Sequence, residues 1–230
     1  MIWRKAVALI LTTLLVVGAI SLIDQPVARL MARNDPAVVD AFKVITRFGE
    51  GGFILYPAGV IIIIAMAIRQ LRPSFIAALE RVAARTGFIF ACVATAGLAA
   101  DVLKIVFGRT RPPLWLAGDE SGFAFMRYSW KFNSFPSGHT TTSFAAAVAF
   151  SALFPRWRIV FFAMAGLIAV SRLALDAHYP SDVFAGGALG ITIAVLIRDW
   201  AIRGGWLARS DARDFGLASN EREKNTTKSD

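Results

Sequence analysis

The chain contains two histidines, His139 and His178, and each stands among residues suited to phosphate chemistry. An imidazole can relay a proton or attack as a nucleophile, although a lone histidine more often serves structure. His139 closes the run Pro136-Ser137-Gly138-His139, directly before an uncharged stretch. If that stretch is helical, Ser137, Gly138 and His139 form its N-terminus, where unpaired N–H groups and the positive dipole end attract an anion. Gly138 permits close backbone approach. The same residues also suit an ordinary turn with Ser137 as N-cap. His178 lies six residues after Arg172 and four before Asp182. Asp182 can complement a helix dipole, or it can accept the Nδ1–H of His178 and leave Nε2 free to attack. Lys104 and Arg111 stand seven apart, about two turns, and share a face if the helix continues. Gly108 and Pro112 place a helix end nearby. Arg111 offers a planar fork to two oxygens and Lys104 a compact charge; both also suit an interfacial snorkelling pair. Arg172 directly follows an uncharged run, at a membrane boundary where ionisable groups are costly and usually functional or paired.

The elements that must hold these residues are membrane helices. Of 230 residues, 56% are hydrophobic and 18% charged, and mean hydropathy is +0.57. A soluble domain carries roughly 25% charged residues. The apolar excess gathers in the uncharged runs Ala6–Ile23, Gly51–Ile68, Thr86–Ala100, Thr140–Phe154, Ile159–Ser171 and Val183–Ile197. A spanning helix needs about 20 mostly apolar residues. The first two runs meet this within their uncharged limits, and the others reach it with flanking residues. Ile159–Ser171 is the shortest. The pattern excludes a soluble globule, a disordered chain and a fibrous repeat. It predicts an all-α bundle of six transmembrane helices.

Trp3, Trp115, Trp130, Trp157, Trp200 and Trp206 all fall outside the runs, as interfacial rings should. Arg4 and Lys5 precede the first run as in a signal peptide. That run, however, exceeds a signal core of about 7–15 residues and lacks a small-x-small cleavage site, which favours a retained helix. Six spans place both termini on one side. With the N-terminus inside, inner segments carry 15 Lys/Arg and outer segments 10, so the bias favours cytoplasmic termini. Asp35 and Pro36 begin an interfacial helix with Val38, Phe42 and Ile45 on one face. Phe75, Ile76, Leu79 and Val82 suggest a similar helix ahead of the third span. Residues 1–209 read as a single membrane domain, followed by a polar, disordered cytoplasmic tail, 210–230. The formal charge of +9, set between apolar blocks, points to anionic lipid and the bilayer rather than nucleic acid. Cys92 is the only cysteine, which rules out an intrachain disulfide or a thiolate metal cage.

With six helices, all three polar clusters fall at one membrane face. Lys104-(6 residues)-Arg111-Pro112, Pro136-Ser137-Gly138-His139 and Ser171-Arg172-(5 residues)-His178-(3 residues)-Asp182 resemble the three-part signature of the type 2 phosphatidate phosphatase superfamily. That superfamily contains lipid phosphate phosphatases and, more distantly, vanadium haloperoxidases. The resemblance covers roughly residues 50–200, and every signature position is filled. It implies that Lys104, Arg111, Ser137, Gly138 and Arg172 hold phosphoryl oxygens. His178 is then the nucleophile that forms a phosphohistidine, Asp182 orients it, and His139 protonates the leaving alcohol and later activates water. The implied enzyme is an integral membrane hydrolase of a lipid phosphate monoester or diphosphate, its site facing the periplasm or exterior of a bacterial inner membrane. No metal or other cofactor is expected, because cations and a helix start already stabilise the charge of phosphoryl transfer. Asp119 and Glu120 read as solvated. A transporter or structural membrane protein with paired polar clusters is the competing class, and a vanadate-dependent haloperoxidase the third. Phosphatidate, phosphatidylglycerol phosphate, polyprenyl diphosphate and lipid A phosphate all fit, and the oligomeric state is left open. Residues 113–135, with Trp115, Phe123, Phe125, Met126, Tyr128 and Trp130, suit an outer lid, a lipid-contact segment or an aromatic belt.

Overall fold

A computed structural model describes residues 2–71, 76–118, 122–127 and 129–207. The tail 210–230, Phe75, Asp119, Glu120 and Tyr128 lie outside the described residues. Each uncharged run falls within a helix to within one residue. The helices are α1 (Ile2–Leu22), α2 (Asp24–Met31), α3 (Pro36–Arg47), α4 (Gly52–Leu71), α5 (Ile76–Phe107), α6 (Pro112–Leu116), α7 (Gly138–Leu153), α8 (Arg158–Ala174) and α9 (Pro180–Arg203). Asp35 caps α3 by accepting from the Ala37 N–H at 2.7 Å, with Pro36 at the first helical position.

Length and composition by themselves support four or five of the expected six spans. Among the described residues, Pro36–Gln70, Ala78–Phe107, Pro155–Ala174 and Pro180–Arg203 are long and apolar enough to cross a bilayer. A fifth is added if α2 and the end of α1, bent by 59°, form one broken span. The shortfall is α7, not the run at Ile159–Ser171, which α8 extends at both ends. At 16 residues α7 is about 24 Å long, short of a hydrocarbon core of about 30 Å. It lies against α5, α8 and α9, and 11 of its residues are buried. Neighbouring helices, rather than lipid, surround most of it. The apolar face at Leu79 and Val82 also differs from expectation. It belongs to the first turns of the 32-residue α5, not to a separate interfacial helix.

Small residues hold α7 in the centre. Cys92 and Ala96 of α5, Ala145, Val148 and Ala149 of α7 and Ala194 of α9 share one buried cluster. On α9, Gly186 and Gly190 stand four apart and face α7. A Cβ at Gly190 would lie 2.2 Å from the Thr141 carbonyl oxygen, and one at Gly186 2.7 Å from that of Ser137. Only glycine permits backbones to approach this closely, as in other small-xxx-small helix pairs. The contact fixes the start of α7, which carries the second polar cluster, against the first turns of α9, which carry Asp182 of the third. Large apolar side chains on α1 and α4, among them Leu11, Leu14, Ile63 and Met66, are exposed and suit a lipid-facing surface.

Candidate active site

α5 ends at Phe107, and Gly108 turns the chain at φ +55°. A Cβ there would lie 2.0 Å from the Ala124 carbonyl oxygen, so glycine is required. Lys104 and Arg111 therefore do not share a continuing helical face. Instead the chain beyond Gly108 runs extended between two neighbouring segments: Ala124 N–H donates to Gly108 O at 2.8 Å, and Ser134 N–H to Arg109 O at 3.1 Å. The rings of Phe107, Phe123, Phe125 and Phe135 pin this arrangement to the end of α5, with centroids 5.1 to 6.3 Å apart. Met126 and Trp130 remain exposed beside them, as a lipid-contact surface would be.

Lys104, in the last turn of α5, reaches the start of α7. A Cβ on Gly138 would lie 2.8 Å from its Nζ, so glycine admits the ammonium there. Nζ also donates to Asp101 Oδ1 at 2.8 Å. Arg111 is anchored by donating from Nε to the Trp130 carbonyl at 3.1 Å. Ser137 occupies the N-cap position of α7 but makes no capping side-chain bond. The ordinary capping explanation thus fails, and its Oγ accepts from Thr140 Oγ1 at 3.0 Å. Burial, reinforced by Arg172, His178, Lys104 and Arg111, lowers the His139 pKa to about 3; the negative charge of a bound phosphate would oppose that shift and favour the protonated ring.

The third cluster owes its spacing to the end of α8. Ala177 N–H donates to Arg172 O at 3.1 Å, and Asp176 takes φ +52°, a left-handed turn that aspartate tolerates. The chain reverses there and delivers His178 beside the first turn of α9. Arg172 donates from Nη1 to Thr46 Oγ1 at 2.6 Å, and its buried Nε has no protein partner. A donor so placed suits an anionic oxygen. His178 is buried, and its Nδ1 lies 2.8 Å from the Ser134 carbonyl oxygen and 3.5 Å from Asp182 Oδ2. The nearer acceptor of its N–H is therefore the Ser134 carbonyl, with Asp182 second. Either way Nδ1 is engaged and Nε2 is left for chemistry. Burial lowers the His178 pKa to about 4, opposed by Asp182 and reinforced by Arg172 and Arg111.

All eight sequence-derived site residues lie where α5 and α8 end and α7 and α9 begin. The structure adds four that the sequence reading passed over. Arg109 is buried between Asp24 and Asp182, with Nη2 to Asp24 Oδ2 at 2.7 Å and Nη1 to Asp182 Oδ1 at 2.6 Å. Ser134 donates to Asp182 Oδ2 at 2.6 Å, and Thr46 holds Arg172. Asp24 could have been found: it ends an 18-residue uncharged run, the boundary argument applied to Arg172. Ser134 and Thr46 carry no comparable signal.

Residues 85–205 match the PAP2 superfamily. A lipid A 1-phosphatase of Rhizobium johnstonii is 34% identical over 198 residues, covering 84% of this chain and 79% of that protein. A lipid A 1-phosphatase of Rhizobium etli is 45% identical over 105 residues, covering 45% of this chain and 44% of that protein. In fold, the chain is similar to the crystal structure of Aquifex aeolicus LpxE, with TM-score 0.56 and 21% identity over 77% of this chain and 95% of that one. It is also similar to a transmembrane PAP2 type phosphatidylglycerolphosphate phosphatase from Bacillus subtilis, with TM-score 0.57 and 20% identity over 87% and 97% of the two chains. A bundle of apolar helices with a cationic, histidine-bearing site at one end defines an integral membrane phosphatase. The chain belongs to the PAP2 superfamily and acts on lipid phosphates.

Proposed function

We propose that the substrate is lipid A carrying its 1-phosphate. The observation that carries this is the 34% identity with a lipid A 1-phosphatase across 84% of the chain. The test is phosphate release by purified protein from lipid A, phosphatidate, phosphatidylglycerol phosphate and a polyprenyl diphosphate. Fastest release from the 1-position of lipid A is the expected result. Preferred release from any of the other three would overturn the assignment.

In the proposed mechanism His178 Nε2 attacks phosphorus while Arg111, Arg172, Lys104 and the N–H groups opening α7 take up the charge on the equatorial oxygens. His139 gives a proton to the leaving oxygen and later takes one from water. These cations fill the place that Mg²⁺ takes in many phosphoryl-transfer sites. Activity is therefore expected to persist in EDTA and to be inhibited by vanadate, whose trigonal-bipyramidal form resembles the transferring group. Activity lost on chelation and restored by a divalent ion would refute this.

We also place the site at the outer face of a bacterial inner membrane, supported by the 15-to-10 Lys/Arg bias that follows if α7 crosses with the other five. Gly122→Cys in a Cys92→Ala background should react with an impermeant thiol reagent once the outer barrier is permeabilised. Labelling only after inner-membrane lysis would reverse the orientation. Residues 1–209 act as one domain in this proposal, because Asp24 of α2 contacts Arg109 and Ser181.

A further inference from the structure

Asp182 uses both carboxylate oxygens. Oδ1 accepts from Arg109 Nη1 at 2.6 Å, and Oδ2 accepts from Ser134 Oγ at 2.6 Å and Tyr179 N–H at 2.9 Å. Arg109 turns its other nitrogen to Asp24, where Nη2 meets Oδ2 at 2.7 Å. Ser181 closes the ring: its N–H donates to Asp24 Oδ1 at 2.9 Å, and its Oγ donates to Asp24 Oδ2 and accepts from Arg109 Nη1. Asp24 is 1% exposed, Arg109 6%, and Ser181 and Asp182 0%. The Arg109 guanidinium also stacks over the Tyr179 ring at 4.3 Å. Burial opposes its charge, but Asp182 and Asp24 together raise its pKa above the ordinary value.

Two carboxylates and one guanidinium leave one net negative charge in this buried ring. Without Asp24, Arg109 and Asp182 would cancel. The neighbour that gains charge during the reaction is His178. Its Nε2 lone pair forms the N–P bond as the P–O bond to the lipid breaks and His139 protonates the departing oxygen. With Nδ1–H retained, the ring becomes cationic. Water then attacks phosphorus, the P–N bond breaks, and the ring returns to neutral. Besides Asp182, the groups that act most strongly on His178 among the described residues are Arg172 and Arg111, with His139 also interacting with it, all of them cationic or neutral; Asp176 lies two residues before it in the chain.

We propose that Asp24 is a positioning residue for this reaction, although it lies upstream of the family segment 85–205: it holds and neutralises Arg109, so that Asp182 keeps its charge for the His178 cation. This rests on reading His178 as the nucleophile. The ring charge arises in phosphoenzyme formation and disappears in its breakdown, so loss of Asp24 affects the two steps unequally. A nearby charge is worth roughly one to three pKa units. Asp24→Asn is thus expected to slow formation, followed by rapid quench with p-nitrophenyl phosphate, by about tenfold or more and to leave breakdown within about threefold of wild type. Adding Arg109→Gln restores the net charge of −1 and should recover formation by about threefold or more over Asp24→Asn alone. Equal slowing of both steps, no change in either, or a double variant no faster than Asp24→Asn would overturn the proposal. If Asp24→Asn does not fold, the double variant is compared with wild type directly. Formation within about tenfold supports the proposal, and a loss beyond about 100-fold overturns it. Absence of any phosphoenzyme in wild type would instead remove the His178 reading itself, a result visible before any variant is made.

Discussion

His178→Ala is expected to abolish turnover of every phosphate ester the protein accepts, with kcat lower by a factor on the order of 10⁴–10⁶, as for other lost nucleophiles. Three features converge on this. The ring is buried and its Nδ1 is held 2.8 Å from the Ser134 carbonyl, which fixes the tautomer and aims Nε2. Its pKa, lowered to about 4 chiefly by burial, keeps Nε2 unprotonated and nucleophilic at neutral pH. The protonated form has no lone pair to offer, so activity is lost as pH falls through the histidine pKa. The acid limb of kcat/KM should accordingly lie nearer pH 4 than the ordinary imidazole value of 6.5. Quenching during turnover should trap acid-labile phosphate on wild type and none on His178→Ala. A phosphoenzyme surviving in that variant would place the nucleophile elsewhere.

The second large effect separates the histidines by leaving group. His139 opens α7, within reach of the fields of Arg172, Lys104 and Arg111. Its proposed first task is to protonate the departing lipid oxygen. An alkoxide is a strong base and needs that proton, whereas p-nitrophenolate leaves readily without it. General-acid assistance is typically worth about 10²–10⁴-fold and shrinks as the leaving group improves. His139→Ala should therefore slow lipid-phosphate cleavage by about 10²-fold or more, while the burst of p-nitrophenol falls much less. Steady turnover of both substrates is expected to drop, since the proposed mechanism also has His139 activate water in the second step. Equal losses in the burst phase for both leaving groups would reassign the acid.

The helices and the side chains proposed for catalysis were legible in the sequence because their signals are local. An uncharged run makes its own backbone hydrogen bonds and must be helical in lipid, whatever surrounds it. Pro136-Ser137-Gly138-His139 and the Arg172–His178–Asp182 spacing likewise announce their chemistry through residue type and interval. The number of spans was less legible. Hydropathy measures apolar content, whereas α7 is short and largely covered by protein, and its surroundings are a property of the packed bundle.

By itself, the sequence determined that this is a helical membrane protein and singled out the residues proposed to bind phosphate and the two histidines proposed to carry protons or attack. Tertiary structure decided how those residues are held. Gly108 breaks the helical register between Lys104 and Arg111, so their positions follow from backbone pairing with 122–126 and 131–134, which spacing does not encode. The N–H of His178 goes first to a backbone carbonyl, a partner with no side-chain signature. Asp24 and Asp182, 158 positions apart in the chain, share Arg109, whose buried guanidinium must be paired and hydrogen-bonded. Desolvation is a cost of the folded environment, so the partners that offset it become visible only when the chain is packed.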